Sequence, residues 1–306
     1  VSAPSPPEAP IKPTSRFVEA NRLRHHTLAW EAPAPREPTP ILLCHGYLDV
    51  AWSFHALASA LARRGRHVIA FDWRGHGQTE WVGRGGYYHF VDYVLDLAEL
   101  VPALGLAGGF DLAGHSMGGT ACAMFAATRP AGLRALALLE GTGPPATSDE
   151  TLPERIDLWL RTVAKQREKA PRPLRDLDDA ITRLRVMHPD LDDELARFVA
   201  EKQTVVRDGA LWFAFDPLHR TRAPIPFRAE AFRAQLARIA VPTLVVSGEV
   251  GWRPEDQAAR VACLAQAEQL ELPGVGHMLH WHAPEALADA LDAFFARHAS
   301  ARAAPA

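Results

Sequence analysis

Ser116 stands in the run Gly114-His115-Ser116-Met117-Gly118, directly after the apolar segment Phe110-Asp111-Leu112-Ala113 and at the head of a helical pattern. A serine hydroxyl is a weak nucleophile until a base takes its proton and its oxygen is held clear of the backbone. Glycines at 114 and 118 permit the sharp strand-to-helix turn that exposes the oxygen, and Gly119 extends the small patch where helix and strand must approach. The five-residue pattern alone is moderately specific. Its position between a strand and a helix points to a nucleophile rather than to an ordinary strand-to-helix serine. Attack on a carbonyl puts negative charge on oxygen, which donors must meet. The backbone N–H groups of Met117, at the helix start, and of Tyr47, in the loop after Ile41–Cys44, are the candidates.

The base is sought in Pro273-Gly274-Val275-Gly276-His277-Met278-Leu279-His280. His277 follows the last strand and is preceded by glycines, which suits a side chain reaching from a loop to a serine. His280 and His282 are nearby alternatives that read better as capping, packing or solvent-facing residues. His45 reads as a structural histidine beneath the site, since the turn from strand to loop needs polar satisfaction there.

Elements able to position these groups recur along the chain. Apolar runs at 41–44, 68–71, 110–113, 136–139, 241–246 and 269–272 read as buried strands of a largely parallel sheet, with an earlier strand from Arg22 to Trp30. Segments 52–64, 90–106, 117–128 and 284–297 have helical spacing, so strand and helix alternate and the class is α/β. From Leu139 to Val241 the rhythm breaks. Asp149–Lys169, Asp176–Met187 and Asp192–Val206 look helical, separated by Pro171, Pro173 and Pro189. The expected organisation is a Pro-rich tail over 1–15, a core over 16–142 and 236–306, and a helical cap over 143–235 lying across the carboxyl ends of the strands. Trp52 near the first loop, and Trp159, Met187, Phe198, Trp212, Phe213 and Phe215 in the cap, are candidate pocket residues. Tyr87 and Tyr88 are candidates for its mouth.

Composition narrows the partners. The 306 residues are 48% hydrophobic and 23% charged with a formal charge of -3, which is the balance of a globular chain without the basic field that attracts nucleic acid. Cys44, Cys122 and Cys263 are widely spaced and odd in number, against a disulfide framework or a zinc site, and Cys44 and Cys122 read as small buried hydrophobes. The N-terminal stretch lacks the basic start and apolar run of a secretory signal, so a cytoplasmic location without stable membrane insertion is expected.

These residues together resemble the α/β-hydrolase superfamily, and within it the cap-bearing esterase, dehalogenase, epoxide-hydrolase and carbon-carbon hydrolase group. The matching segments are His45-Gly46-Tyr47 with Trp52, Asp72-Trp73-Arg74-Gly75-His76-Gly77, Gly114 to Gly119, and Gly276-His277, in the family's order. The resemblance implies a catalytic serine at 116, a histidine at 277, backbone oxyanion donors at 47 and 117, and a structural turn at 72–77. Neither a cofactor nor a metal is implied.

One part of the pattern is missing. A carboxylate must orient the histidine and favour its imidazolium, and in most relatives it ends a Gly-x-x-Asp run. Here that run is Gly248-Glu249-Val250-Gly251. Glu249 sits early in the loop, and Glu255 and Asp256 look like first-turn helix acids. Glu140, directly after Leu136–Leu139 and before Gly141-Thr142-Gly143, is the preferred acid; some haloalkane dehalogenases place theirs similarly. Serine in place of the aspartate nucleophile argues against dehalogenation and epoxide opening. The expected activity is that of a carboxylesterase acting through an acyl-enzyme on a small or moderately apolar ester. The alternatives are carbon-carbon bond hydrolysis, lactone or amide hydrolysis, acyl transfer, or a non-enzymatic ligand-binding role.

Overall fold

The computed structural model describes residues 10–146, 152–169 and 172–299. Its strands in chain order are β1 (Thr14–Ala20), β2 (Leu23–Trp30), β3 (Glu37–Cys44), β4 (Arg66–Phe71), β5 (Phe110–His115), β6 (Leu133–Leu139), β7 (Thr204–Arg207), β8 (Ala210–Phe213), β9 (Thr243–Gly248) and β10 (Ala267–Leu272). One eight-stranded sheet has the order β1-β2-β4-β3-β5-β6-β9-β10. β2 is antiparallel to β1 and β4, and from β4 to β10 every pairing is parallel.

Parallel neighbours require crossover connections. The helices are α1 (His55–Arg63), α2 (Phe90–Ala103), α3 (Met117–Ala126), α4 (Leu152–Glu168), α5 (Leu177–Met187), α6 (Asp193–Lys202), α7 (Ala229–Leu236), α8 (Gln257–Val261), α9 (Leu279–His282) and α10 (Pro284–Arg297). Alternate residues of one strand serve two cores. Leu42 and Cys44 pack with Leu97, Leu100 and Phe125 of α2 and α3. Ile41 and Leu43 pack with Leu57 and Leu61 of α1 and Leu291 and Phe294 of α10. Burial on both faces is why these strands read as continuous apolar runs.

Three features depart from the sequence reading. β1 begins at Thr14, inside the expected tail; as an edge strand with mostly exposed residues it carries little apolar signal. The portion of that tail over 1–9 lies outside the described residues. β3 begins at Glu37 and takes in Pro38 and Pro40, with an irregular register between Glu37 and Ile41 where the missing N–H donors are tolerated. The helix expected to run to Val206 ends at Lys202, because Thr204-Val205-Val206 is β-branched and leads into a hairpin. Its turn, Asp208-Gly209, has φ of 51° and 74°, the Asp-Gly signature of a two-residue loop.

Across the rest of the insertion, Asp176 and Asp192 cap α5 and α6 by accepting from Asp179 N and Leu195 N, both at 2.8 Å, contacts worth about 1 kcal/mol each. Leu184, Ala196 and Val199 of these helices share a core with Met278 and Trp281, so the insertion rests on the segment that carries His277. α7 instead packs Phe232 and Leu236 into the sheet core. No helix among the described residues is long and apolar enough to cross a membrane.

Candidate active site

Between the last residue of β5 and the first of α3, Ser116 adopts φ 52° and ψ -117°. Such a backbone costs a non-glycine residue about 1–3 kcal/mol and persists only where its surroundings impose it. They do so here. Ser116 N donates to Leu139 O at 2.9 Å, and Thr120 N donates to Ser116 O at 3.1 Å. A Cβ on Gly118 would lie 2.8 Å from the Cys44 carbonyl carbon, so α3 starts hard against the end of β3. A Cβ on Gly46 would lie 3.4 Å from Ser116 Cβ, which brings the Tyr47 loop beside the serine. Tyr47, Ser116, Met117 and Glu140 line one cavity of about 460 Å³. As the first residue of α3, Met117 has an N–H with no intrahelical acceptor.

Glu140 repeats the backbone device one strand away. It follows β6 with φ 51°, and its N–H donates to Val246 O at 2.9 Å. The carboxylate is withdrawn from solvent. Oε1 accepts from Gly248 N at 2.7 Å, and Oε2 faces His277 Nδ1 at 3.3 Å, the long end of a hydrogen bond. An ionised carboxylate only accepts, so the shared proton sits on Nδ1 and the Nε2 lone pair is left free. A Cβ on Gly251 would lie 2.7 Å from Glu140 Cδ. The other acids are engaged elsewhere: Glu249 accepts from Gly274 N at 2.7 Å, Asp256 pairs with Arg260 at 2.7 Å, and Glu255 is exposed.

The His277 loop is held from below. His115 Nε2 donates to His277 O at 2.9 Å, and burial, aided by the neighbouring His280 and His277, pushes its pKa well down, so the ring is neutral. Its ring lies 4.6 Å from that of His280, which meets Ser53 Oγ at 2.8 Å. Ser53 Oγ in turn accepts from Trp281 Nε1 at 2.6 Å. Asp49 completes the group, with Oδ1 accepting from Gln203 Nε2 of the insertion at 2.7 Å. His280 is therefore part of the buried support, while His282 pairs with Asp190 at 3.2 Å.

His45 is fully buried and serves the structure. Its Nε2 accepts from Trp73 N at 3.0 Å and its Nδ1 donates to Gly46 O at 2.8 Å, which fixes the loop before Tyr47. Asp72 accepts from Ala51 N at 2.7 Å and Gln78 N at 3.0 Å, a turn-building role away from the serine. Cys44 and Cys122 are buried and unbridged, and burial raises the Cys44 thiol well above its ordinary value.

The aromatic pocket candidates need correction. Trp52, Trp159, Met187, Trp212, Phe213 and Phe215 are absent from the lining of the Ser116 cavity. Trp52 packs under Lys202 Nζ at 4.4 Å, Trp159 stands edge-on to Tyr87, and Met187 is 63% exposed. Trp212, Phe213 and Phe215 line a different cavity of about 830 Å³ behind the 217–220 turn. Phe198 stacks on His55. Tyr87 and Tyr88 do border the site, joined by Tyr93, Arg155, His219, Arg222 and Trp252, which the sequence reading missed. Burial pushes His219 down to about 3, so it is neutral there.

Residues 39–284 match the model of the alpha/beta hydrolase fold. A serine hydrolase-like protein of Danio rerio is 27% identical over 273 residues, 85% of this chain and 82% of that protein. A non-heme haloperoxidase of Rhodococcus erythropolis is 38% identical over 119 residues, 38% of this chain and 42% of its own length. Among solved structures, a hypothetical protein from Pseudomonas aeruginosa superposes with a TM-score of 0.80 at 26% identity, covering 92% of this chain and 98% of that one. A thioesterase domain from the curacin biosynthetic pathway gives 0.76 at 26% identity, covering 91% and 98%. With a family match over most of its length and the sheet order and strand-to-helix serine turn described above, this chain belongs to the alpha/beta hydrolase family.

Proposed function

We propose that this protein is a serine hydrolase that cleaves carboxylic esters through an acyl-enzyme, with Ser116 as nucleophile, His277 as base and Glu140 as the orienting acid. The observation that carries the reading is the buried Glu140 carboxylate on His277 Nδ1, which leaves Nε2 as the ring atom able to take a proton. In this scheme Ser116 Oγ attacks the carbonyl carbon as its proton passes to Nε2. The N–H groups of Tyr47 and Met117 receive the oxyanion. The imidazolium, stabilised by Glu140, protonates the departing alcohol, and water then repeats the sequence to release the acid. Oxyanion-hole donors are worth about 2.7–4 kcal/mol each in transition-state stabilisation. The insertion bounds the cavity through Arg155, Leu218, His219 and Arg222, which supports a cap that shapes the substrate volume.

A thioester is the second acyl class this reading admits, favoured by the likeness to a thioesterase domain. The test is a fluorophosphonate probe with intact-mass detection, run beside p-nitrophenyl esters and an acyl thioester. One adduct on Ser116 is expected, lost together with turnover in a folded S116A variant. An adduct on another serine, or undiminished turnover by S116A, overturns the assignment.

A further inference from the structure

Among its described residues, the Ser116 cavity is lined by charge of one accessible sign. Glu140 is the one carboxylate among them, and that side chain is fully withdrawn from solvent between His277 and Gly248 N. His219 is neutral, for the reason given above. What remains are two guanidinium groups from the insertion, Arg155 of α4 and Arg222 after the 217–220 turn. Arg155 is tied to the segment that carries Arg222: its Nε donates to the carbonyl of Ala223 at 3.2 Å. The segment beneath them is anchored, with Tyr87 Oη on Arg222 O at 3.1 Å and Tyr47 Oη donating to His219 O at 2.7 Å. The Arg222 charge is also felt inside the cavity, where with Arg220 it opposes the upward push of burial on the Tyr47 hydroxyl.

Neither Arg155 nor Arg222 has a carboxylate within 4.0 Å among the described residues, whereas Arg74, Arg134 and Arg260, in the same fold, are each paired. Two guanidinium groups without a carboxylate partner among the described residues, at a concave site, match the planar, multiply accepting geometry of a carboxylate or phosphate. Binding an apolar ester there would leave them unused; binding an anion would neutralise them.

We infer that the substrate is anionic: an ester or thioester that also carries a carboxylate or phosphate, which Arg155 and Arg222 hold while the carbonyl meets Ser116. The cavity volume, about 460 Å³, suits such a small molecule. This inference rests on the reading of Ser116 as nucleophile, and names the substrate class of that site.

Matched ester pairs differing only in charge test it. p-Nitrophenyl hemiadipate against p-nitrophenyl hexanoate puts the charge on the acyl side. 4-Acetoxybenzoate against its methyl ester puts it on the alcohol side, and 4-acetoxyphenyl phosphate replaces carboxylate by phosphate. In at least one pair the charged member is expected to have a kcat/KM at least tenfold higher. That ratio should fall at least tenfold in the R155Q/R222Q double variant, mainly through KM, and should survive in R167Q, which removes an equal charge from the insertion away from the Ser116 cavity, where Arg167 lines the separate second cavity. Equal kcat/KM within every pair, or a ratio that persists in R155Q/R222Q, overturns the inference. Calorimetry of the intact esters with S116A separates the two levels. Preferential binding of the charged member by an enzyme that shows no Ser116-dependent turnover would sink the hydrolase reading and keep the anion site. Turnover through Ser116 with no anion preference would do the reverse.

Discussion

Glu140 occupies the space that a side chain on Gly251 would need: a Cβ there would lie 2.7 Å from Glu140 Cδ. Two positions on neighbouring strand ends thus compete for one carboxylate site opposite His277 Nδ1. With an acid after β6, the position after β9 must be bare. The glycine at 251 is then the steric counterpart of Glu140 rather than the trace of a lost function.

That relationship makes the acid movable. E140Q keeps the shape but removes the charge that supports the imidazolium, and its chemical step should fall at least tenfold, since a contribution of ~1.4 kcal/mol corresponds to one decade. G251D alone forces a second carboxylate into an occupied, buried site and should lower stability by about 1–3 kcal/mol through overpacking alone. The double variant E140G/G251D should be more active than E140G, because glycine accepts the positive φ at 140 and the new aspartate faces the same ring. Single-turnover rates and urea midpoints measure both. Wild-type chemistry in a folded E140Q, with severe loss in E249Q, would move the acid to Glu249.

How far the sequence reveals this site follows from what each residue is asked to do. The strand-end and loop-end positions of Ser116, His277 and Glu140 were legible because their neighbours are constrained in type: glycines around the serine, a glycine before the histidine, an apolar strand before the acid. The central strands were legible because both faces are buried. β1 was not, since an exposed edge strand bears no such pattern. The Asp208-Gly209 hairpin was written in the chain but masked by the helical run before it. Pocket lining was the least legible. An aromatic residue announces that it will be buried, not against what, and Trp52, Trp212 and Phe213 found their partners away from Ser116. Arg155 and Arg222 carry no local signal at all; only the folding of the insertion over the sheet edge brings them to the cavity.

His115 should prove a positioning residue for His277. Its Nε2–H holds the His277 carbonyl at 2.9 Å, and in the proposed scheme that loop must present the imidazole to both Glu140 and Ser116. H115L deletes that donor and leaves a carbonyl unpaired, a loss of about 1–3 kcal/mol. H115Q can return an N–H near the same place. The expected pattern is a lower Tm and a several-fold slower fluorophosphonate reaction in H115L, with partial recovery of the labelling rate in H115Q. Equal labelling rates in wild type and H115L would remove His115 from the positioning of the base, whatever happened to Tm.

Acid should destabilise this protein from just below neutrality. His45, His76, His115 and His280 are fully buried and neutral, their pKa values lowered chiefly by burial, and His219 is lowered to about 3 by the same cause. In the unfolded chain each takes up a proton near 6.5. Between that value and its folded pKa the unfolded state holds more protons, so the stability present at pH 7 is lost as pH falls, by about 1.4 kcal/mol per pH unit for each histidine that stays neutral. Asp49 acts in the same direction at lower pH. Burial raises it, but its polar neighbours, His280 first and then His45 and Ser53, bring it to about 2, so its contribution is lost as pH falls from its ordinary value of 3.8 toward 2. Asp111 opposes them. Burial outweighs the Arg134 partner and raises it to about 6, so it favours the folded state as pH drops from 6 to 3.8. One opposing group cannot cancel several histidines. The urea midpoint should therefore begin to fall as pH approaches 6.5 and drop more steeply from there to 5, before most carboxylates titrate. A midpoint flat across that interval would show that these histidines are protonated in the folded protein, and that the burial assigned to them is wrong.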